Sequence, residues 1–440
     1  MGPSAPLDVH PIPAVPAARR TPFARTYPWL VFALAFGLLL SDYMSRQVLS
    51  AVFPFLKAEW ALTDANLATL SSAVALTVGV LTLPLSLVAD RWGRVRSLTV
   101  MAVLWSIATL LCALAAGYGQ MLGARFLVGL GEAAYGSVGI AIVLGVFLPR
   151  VHAALSGAFM AGGSFGSVLG IALGGLVAVQ VGWRWSFAVM AVFGLVLVAL
   201  FAVIVTERRL ARHAVDRPAV QAPRSDRYRA PISSLFTNPA VLCAYVGSGL
   251  QMFTAAVLLS WMPSFFNRYY ALGPDKAAAV AAGLVLLVGS GMVVCGAITD
   301  RLARTDPNRK WTSAIAFCTI SLICLTGGFG LDAGVGQLVL LGIGAFFAAG
   351  SSGPAAAMVA RLTHTSIRAS AMGTLTVANN LLGLALGPIV VGVLADRLGL
   401  HAALQIAPLA YVGAIAALLL GRRRYPAGLR RLETTTSTAP

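Results

Sequence analysis

Residues 85–97, LSLVADRWGRVRS, decide the fold. They form a charged knot between two long apolar runs, Leu67 to Ala89 and Val100 to Ala116. Asp90, Arg91, Arg94 and Arg96 sit between the runs, and Gly93 permits a tight bend. A connection this short forces its flanking helices to lie antiparallel and adjacent. It brings Asp90 within reach of an arginine or of a helix N-terminus. The knot recurs in GAITDRLAR at 296–304, where Asp300, Arg301 and Arg304 follow Asp90, Arg91 and Arg94 at one offset of 210. The leading glycine is Gly296 in the second copy and Ser86 in the first; the inner one is Gly93 in the first and Ala303 in the second. One motif repeated at a fixed offset means two halves built alike.

Composition says what surrounds those halves. The 440 residues are 58% hydrophobic and 11% charged, with a mean hydropathy of +0.83. A soluble domain carries roughly 25% charged residues, so lipid must be the solvent here. A spanning helix needs about 20 apolar residues, and twelve such runs can be counted. The reading is an all-α membrane protein of twelve transmembrane helices in two pseudo-symmetric six-helix bundles. Its parts are a disordered Pro/Ala-rich tail at 1–27, a first bundle at 28–205, an arginine-rich linker at 206–237, a second bundle at 238–421 and a tail at 422–440. Pro28 is expected in the first turn of helix 1, and Thr63 or Asp64 as the N-cap of helix 2. Helix 4 is expected to run unbroken over about 120–147.

The net charge is +17, but the basic residues are scattered through short loops rather than gathered on one face. With twelve spans and the N-terminus inside, 25 lysines and arginines fall on the cytoplasmic side and 5 outside. Positive-inside topology accounts for this, with both termini cytoplasmic in a bacterial inner membrane, and it argues against nucleic-acid binding. The five cysteines all lie in apolar runs, and the sequence has no metal-ligand spacing and implies no cofactor. No GxxxxGK[ST] loop for ATP is present. Gly162-Gly163-Ser164-Phe165-Gly166 matches a hydrolase nucleophile elbow, but it sits inside an apolar helix among repeated glycines. The chain is therefore not read as an enzyme.

Ionisable groups inside a membrane helix are costly and point to function. Asp42 and Arg46 lie four apart in helix 1, and Arg125 and Glu132 seven apart in helix 4, each pair on one helical face. Counting depth from opposite membrane surfaces brings Asp42 level with Arg125, which predicts an Asp42–Arg125 contact. The second half has GIGAFFAAG where the first has GLGEAAYG, so Ala345 stands in the place of Glu132. Charge chemistry is thus expected in the first half. Gln251, Phe253, Phe346, Asn379 and Asn380 would supply a mostly apolar substrate wall in the second. In helix 5, Gly162, Gly166, Gly170 and Gly174 lay a smooth strip that admits a neighbouring backbone; Gly387 and Pro388 belong to a related stretch of helix 11.

The repeated Gly-x-x-x-Asp-Arg-x-Gly-Arg pattern resembles the loop signature of the major facilitator superfamily, which lies between helices 2 and 3 and again between 8 and 9. The resemblance covers about residues 28–421. The glycines of helix 5 resemble the family's antiporter signature, with Ile171 where that signature has proline. Asp42-Tyr43-Met44-Ser45-Arg46-Gln47, Gly131-Glu132-Ala133 and Gly182-Trp183-Arg184-Trp185 resemble the Spinster-like branch. There an aspartate stands at the place of Ser45, and it and the helix-4 glutamate are proton-site candidates. The resemblance implies a secondary active transporter moving a small organic or amphipathic solute by alternating access. Asp42, Arg46, Arg125 and Glu132 would form its proton-coupling centre. Asp90, Arg91, Gly93, Arg94, Asp300, Arg301 and Arg304 would gate its conformations. Solute, protons and membrane lipids are the expected partners of a monomer. An uncoupled facilitator and a non-transporting sensor on the same fold are the alternatives.

Overall fold

The computed structural model describes residues 22–148, 151–213, 234–304, 306, 308–364 and 367–437. Its backbone is helical, and no strand occurs among those residues. Among the described residues, twelve helices are long and apolar enough to cross a membrane. They are α1 (Thr26–Trp60), α2 (Asp64–Ala89), α3 (Arg94–Leu114), α4 (Tyr118–Val146), α5 (Leu155–Val181), α6 (Trp183–Ile204), α7 (Pro239–Tyr269), α8 (Pro274–Leu302), α9 (Arg309–Gly330), α10 (Val335–Leu362), α11 (Ser370–Leu398) and α12 (Leu400–Arg430). The first six form one bundle and the last six the other. The bundles meet chiefly along α5 with α8 and α2 with α11.

The ends differ in places from the sequence reading. Helical backbone begins at Pro22, so Pro28 lies inside α1 rather than in its first turn. Thr63, not Asp64, caps α2, accepting a bond from the Asn66 amide at 3.1 Å. Helix continues past Arg422 to Ser437. The linker contains short helices at Glu207–His213 and Ser234–Thr237; the tail reading for 1–21 and the linker reading for 214–233 lie outside the described residues.

The glycine strip of α5 seats against α1. A Cβ on Gly166 would lie 2.5 Å from the Leu40 carbonyl oxygen, and one on Gly170 2.6 Å from that of Met44. The two backbones therefore touch on either side of Asp42, and the strip fixes the rotation and depth of α1. Residues 162–166 lie within that helix, not at a strand–helix junction. Gly387 plays the same part in α11, with its would-be Cβ 2.6 Å from the Phe253 carbonyl oxygen. The Pro388 carbonyl accepts from Trp261 Nε1 at 3.2 Å.

At the α2–α3 bend Gly93 has φ +95°, a conformation that glycine adopts at little cost. Asp90 follows the α2 span in helical backbone that runs on to Trp92, with its side chain outside the described residues; Arg91 and Arg94 are exposed. Glu207, at the start of the linker, caps α3 by accepting from the Val95 amide at 2.9 Å. In the second copy Asp300, Arg301 and Arg304 are all exposed.

Candidate functional site

The centre of the first bundle is built around a break in α4. The helix stops at Glu132 and resumes at Tyr135, and Ala134 leaves the helical basin at φ −117°, ψ 2°. The sequence reading of one continuous helix is corrected here, because a Gly/Ala-rich apolar run gives no hydropathy signal at a two-residue turn. Non-helical backbone at membrane depth is tolerated where protein buries it. Ala133, Ala134 and Tyr135 are all buried. Tyr135 anchors the second half of the helix. Its hydroxyl donates to the Ala35 carbonyl at 2.6 Å, and its ring meets Trp105 edge-on at 4.9 Å.

Of the four charges singled out in the sequence, Asp42, Arg125 and Glu132 are buried, at 6%, 1% and 6% exposure, and Arg46 is partly buried. Their pairing differs from the expectation. Arg125 does not bind Asp42. Its Nε donates to the Leu70 carbonyl at 3.3 Å, and its two terminal nitrogens to the Ser45 and Arg46 carbonyls at 3.2 Å each. The guanidinium is a staple joining α4 to the backbones of α1 and α2. Depth counting placed Asp42 and Arg125 at one level but carried no information about rotation around each axis.

Asp42 instead neighbours Glu132, carboxyl beside carboxyl. No other described group donates to Asp42 Oδ1 or to either oxygen of Glu132. The nearest cation is Arg46, whose guanidinium lies 4.0 Å from Glu132 Oε2, an ion-pair distance rather than a hydrogen bond. The Arg46 side chain retains 16% exposure against 3% for Glu132. Of the two central arginines it is the accessible one, and its charge is only loosely held.

The second bundle repeats the break without the charges. α10 stops at Ala348 and resumes at Ser352, with Ala349 at φ −109°, ψ 12°. Here the freed Ala348 carbonyl accepts from Gln251 Nε2 at 2.9 Å and from the Tyr411 hydroxyl at 3.0 Å. Ser351 donates to the Gln251 side-chain oxygen. Ala345 is fully buried. Of the expected substrate wall, Gln251 is thus engaged in closing the break. Asn379 accepts from Ser248 at 2.8 Å, and Asn380 donates to the Thr376 carbonyl while its own oxygen has no partner among the described residues. Asn379 opens a π-helical stretch, Asn379–Ala385, in α11. Phe253 is half-buried, and Phe346 lines an apolar groove with Leu287 and Val339.

The sequence reading took Asp64 only as a possible helix start and gave no site role to Glu59, Arg268 or Asp396. Glu59, near the end of α1, takes two bonds from Arg184 and one from Trp183, which ties the Gly-Trp-Arg-Trp loop to α1. The other three join the two bundles. Asp396 did carry a signal: Gly392, Asp396, Arg397 and Gly399 repeat the Gly-x-x-x-Asp-Arg-x-Gly spacing a third time. No group of three or more His, Cys, Asp or Glu suited to a metal occurs among the described residues.

Comparison with known proteins fits this architecture. The family model described as Major Facilitator Superfamily matches residues 34–381. The hexuronate transporter of Bacillus subtilis is 23% identical over 73% of this chain and 76% of its own. A probable 4-methylmuconolactone transporter of Cupriavidus pinatubonensis is 28% identical over 86% and 87%. Protein spinster of Drosophila melanogaster is 25% identical over 58% of this chain and 42% of its own. Among solved structures, a bacterial homolog of the human lysosomal transporter Spinster, inward-facing and unoccupied, superposes with a TM-score of 0.80 at 17% identity, covering 91% of this chain and 98% of that one. The chain is an integral, multi-pass membrane protein belonging to the Major Facilitator Superfamily.

Proposed function

We propose that this protein is a proton-coupled symporter of a small organic anion, with Arg46 as the anion's anchor and the Asp42–Glu132 pair as the proton's carrier. The observation that carries the reading is the pair itself. Two buried carboxyl groups lie side by side, with no outside donor among the described residues to either oxygen of Glu132. Two neighbouring carboxylates cannot both hold a charge cheaply, and a hydrogen bond between them needs a proton. Arg46 supplies the coupling. When Glu132 is charged, it competes for the guanidinium 4.0 Å away. When it is protonated, Arg46 is released to a carboxylate on the solute, which matches an arginine's planar fork. Proton and anion then bind together and cross together. Arg125 is given no binding role in this reading, because each of its three nitrogens donates to a backbone carbonyl.

Relatives named for hexuronate and for L-galactonate support an anionic solute. The charge asymmetry between loops supports an orientation with both termini in the cytoplasm of a bacterial inner membrane. The test is co-movement. Purified protein is reconstituted in liposomes enclosing a pH-sensitive dye, and glucuronate or a muconolactone is added with no imposed gradient. Internal acidification that requires the anion is expected, and Arg46→Gln abolishes it. Anion uptake with no pH change would overturn the coupling; uptake that Arg46→Gln leaves intact would overturn the anchor.

A further inference from the structure

We propose that Asp64, Arg268 and Asp396 form an electrostatic latch that closes the outer end of the transport path. The latch exchanges a carboxylate from each bundle with the other. Asp64, at the start of α2 in the first bundle, is 3% exposed. Its carboxylate accepts two bonds from Arg268 of α7 in the second, at 2.7 and 2.8 Å. Asp396, at the end of α11 in the second bundle, accepts from the Asp64 and Ala65 amides of the first, at 2.7 and 2.9 Å. Those amides belong to the first turn of α2, where no intrahelical acceptor exists and the helix dipole favours an anion. Four charge-assisted bonds therefore cross the bundle boundary around one residue. Lys57 also donates to Asp64 from within the first bundle, at 2.6 Å.

The packing below the latch shows the same closure. A Cβ on Gly392 would lie 2.7 Å from the Asp64 carbonyl oxygen, so α11 and α2 touch through their backbones there. One level deeper, Ser71 of α2 meets Ser260 of α7 at 3.2 Å, and Phe53 of α1 packs on Trp261 of α7 at 5.5 Å. At the opposite end Asp300, Arg301 and Arg304, around the end of α8, are exposed. Rocking that opens the outer end must break all four crossing bonds together, so the latch sets the balance between the two states. The third copy of the Gly-x-x-x-Asp-Arg-x-Gly spacing, at 392–399, thus lies at the membrane face opposite the other two.

Accessibility tests this independently of proton coupling, because it needs no transport. A single cysteine at Ser71, in a chain whose five natural cysteines are replaced, reports on the space beneath the latch. A membrane-impermeant thiol reagent is applied to intact cells. Slow labelling is expected in the parent, and labelling about tenfold faster in Arg268→Gln and in Asp64→Asn, since each loses more than one charge-assisted bond. Arg268→Lys keeps the charge and gives an intermediate rate, so the test stays readable if the glutamine variant does not fold. Arg184→Gln breaks an ion pair within one bundle and leaves the rate unchanged. Equal rates in the parent, Arg268→Lys and Asp64→Asn would overturn the latch, as would an Arg184→Gln effect of the same size.

Discussion

In α4 the helix stops at Glu132 and resumes at Tyr135; in α10 it stops at Ala348 and resumes at Ser352. The backbones break alike, but the chemistry filling the breaks is opposite. Around α10 the freed carbonyl has two donors, and the glutamine that supplies one of them is itself satisfied by a serine. All of these groups are neutral, and such a closed network has nothing to gain from a proton. Around α4 both oxygens of Glu132 lack a donor among the described residues, and a second carboxyl lies beside them. That arrangement is incomplete until a proton arrives. On the proposed reading, the shared fold carries one inert break and one that takes up a proton.

The comparison can be broken most severely at Arg125. Arg125→Leu removes three bonds that hold α4 to α1 and α2, and costs about 2–4 kcal/mol of stability. Thermal unfolding in detergent should show a drop of several degrees, and transport should be lost. Arg125→Lys should recover only part, since an ammonium cannot span three carbonyls in a plane. A variant of wild-type stability would mean the staple is decorative. A smaller effect is expected from Gly170→Val, which forces a side chain against the Met44 backbone and costs about 1–3 kcal/mol. Gly157→Ala on the same helix, where nothing lies within 4 Å, should be silent. The smallest change sharpens the contrast from the other side. Gln251→Leu leaves the Ala348 carbonyl with only Tyr411 and Ser351 without an acceptor, for about 1–2 kcal/mol. Its stability should fall while the number of protons moved per anion stays the same. A changed ratio would place coupling in the second bundle as well.

The twelve spans were legible because lipid imposes one rule on every residue that faces it, and Leu67–Ala89 obeys that rule in isolation. The glycine strip was legible because its four-residue step is itself the geometry of the contact. The Asp42–Glu132 pair was only half legible. Residue type and depth picked out all four charges, yet their partners depend on how α1 and α4 are rotated, which the fit of Gly166 and Gly170 on α1 decides. Arg125 misled for a chemical reason: a buried guanidinium suggests a carboxylate, but backbone carbonyls satisfy it equally well. Asp64 read as nothing more than a helix start. Its partners lie 204 and 332 positions away in the other bundle, where no local pattern can announce them.

Glu132→Gln tests the central claim most directly. Glutamine has the shape of the protonated acid but can neither gain nor lose the proton. Wild type and variant are reconstituted in liposomes, the interior is made alkaline relative to the bath, and uptake of labelled organic anion is followed. The account predicts that wild type accumulates the anion above its external concentration. The variant should still exchange labelled for unlabelled anion across the membrane, while its uphill accumulation disappears. A variant that accumulates the anion as wild type does would show that Glu132 does not carry the proton, and would leave the carboxyl pair as no more than a tie between α1 and α4.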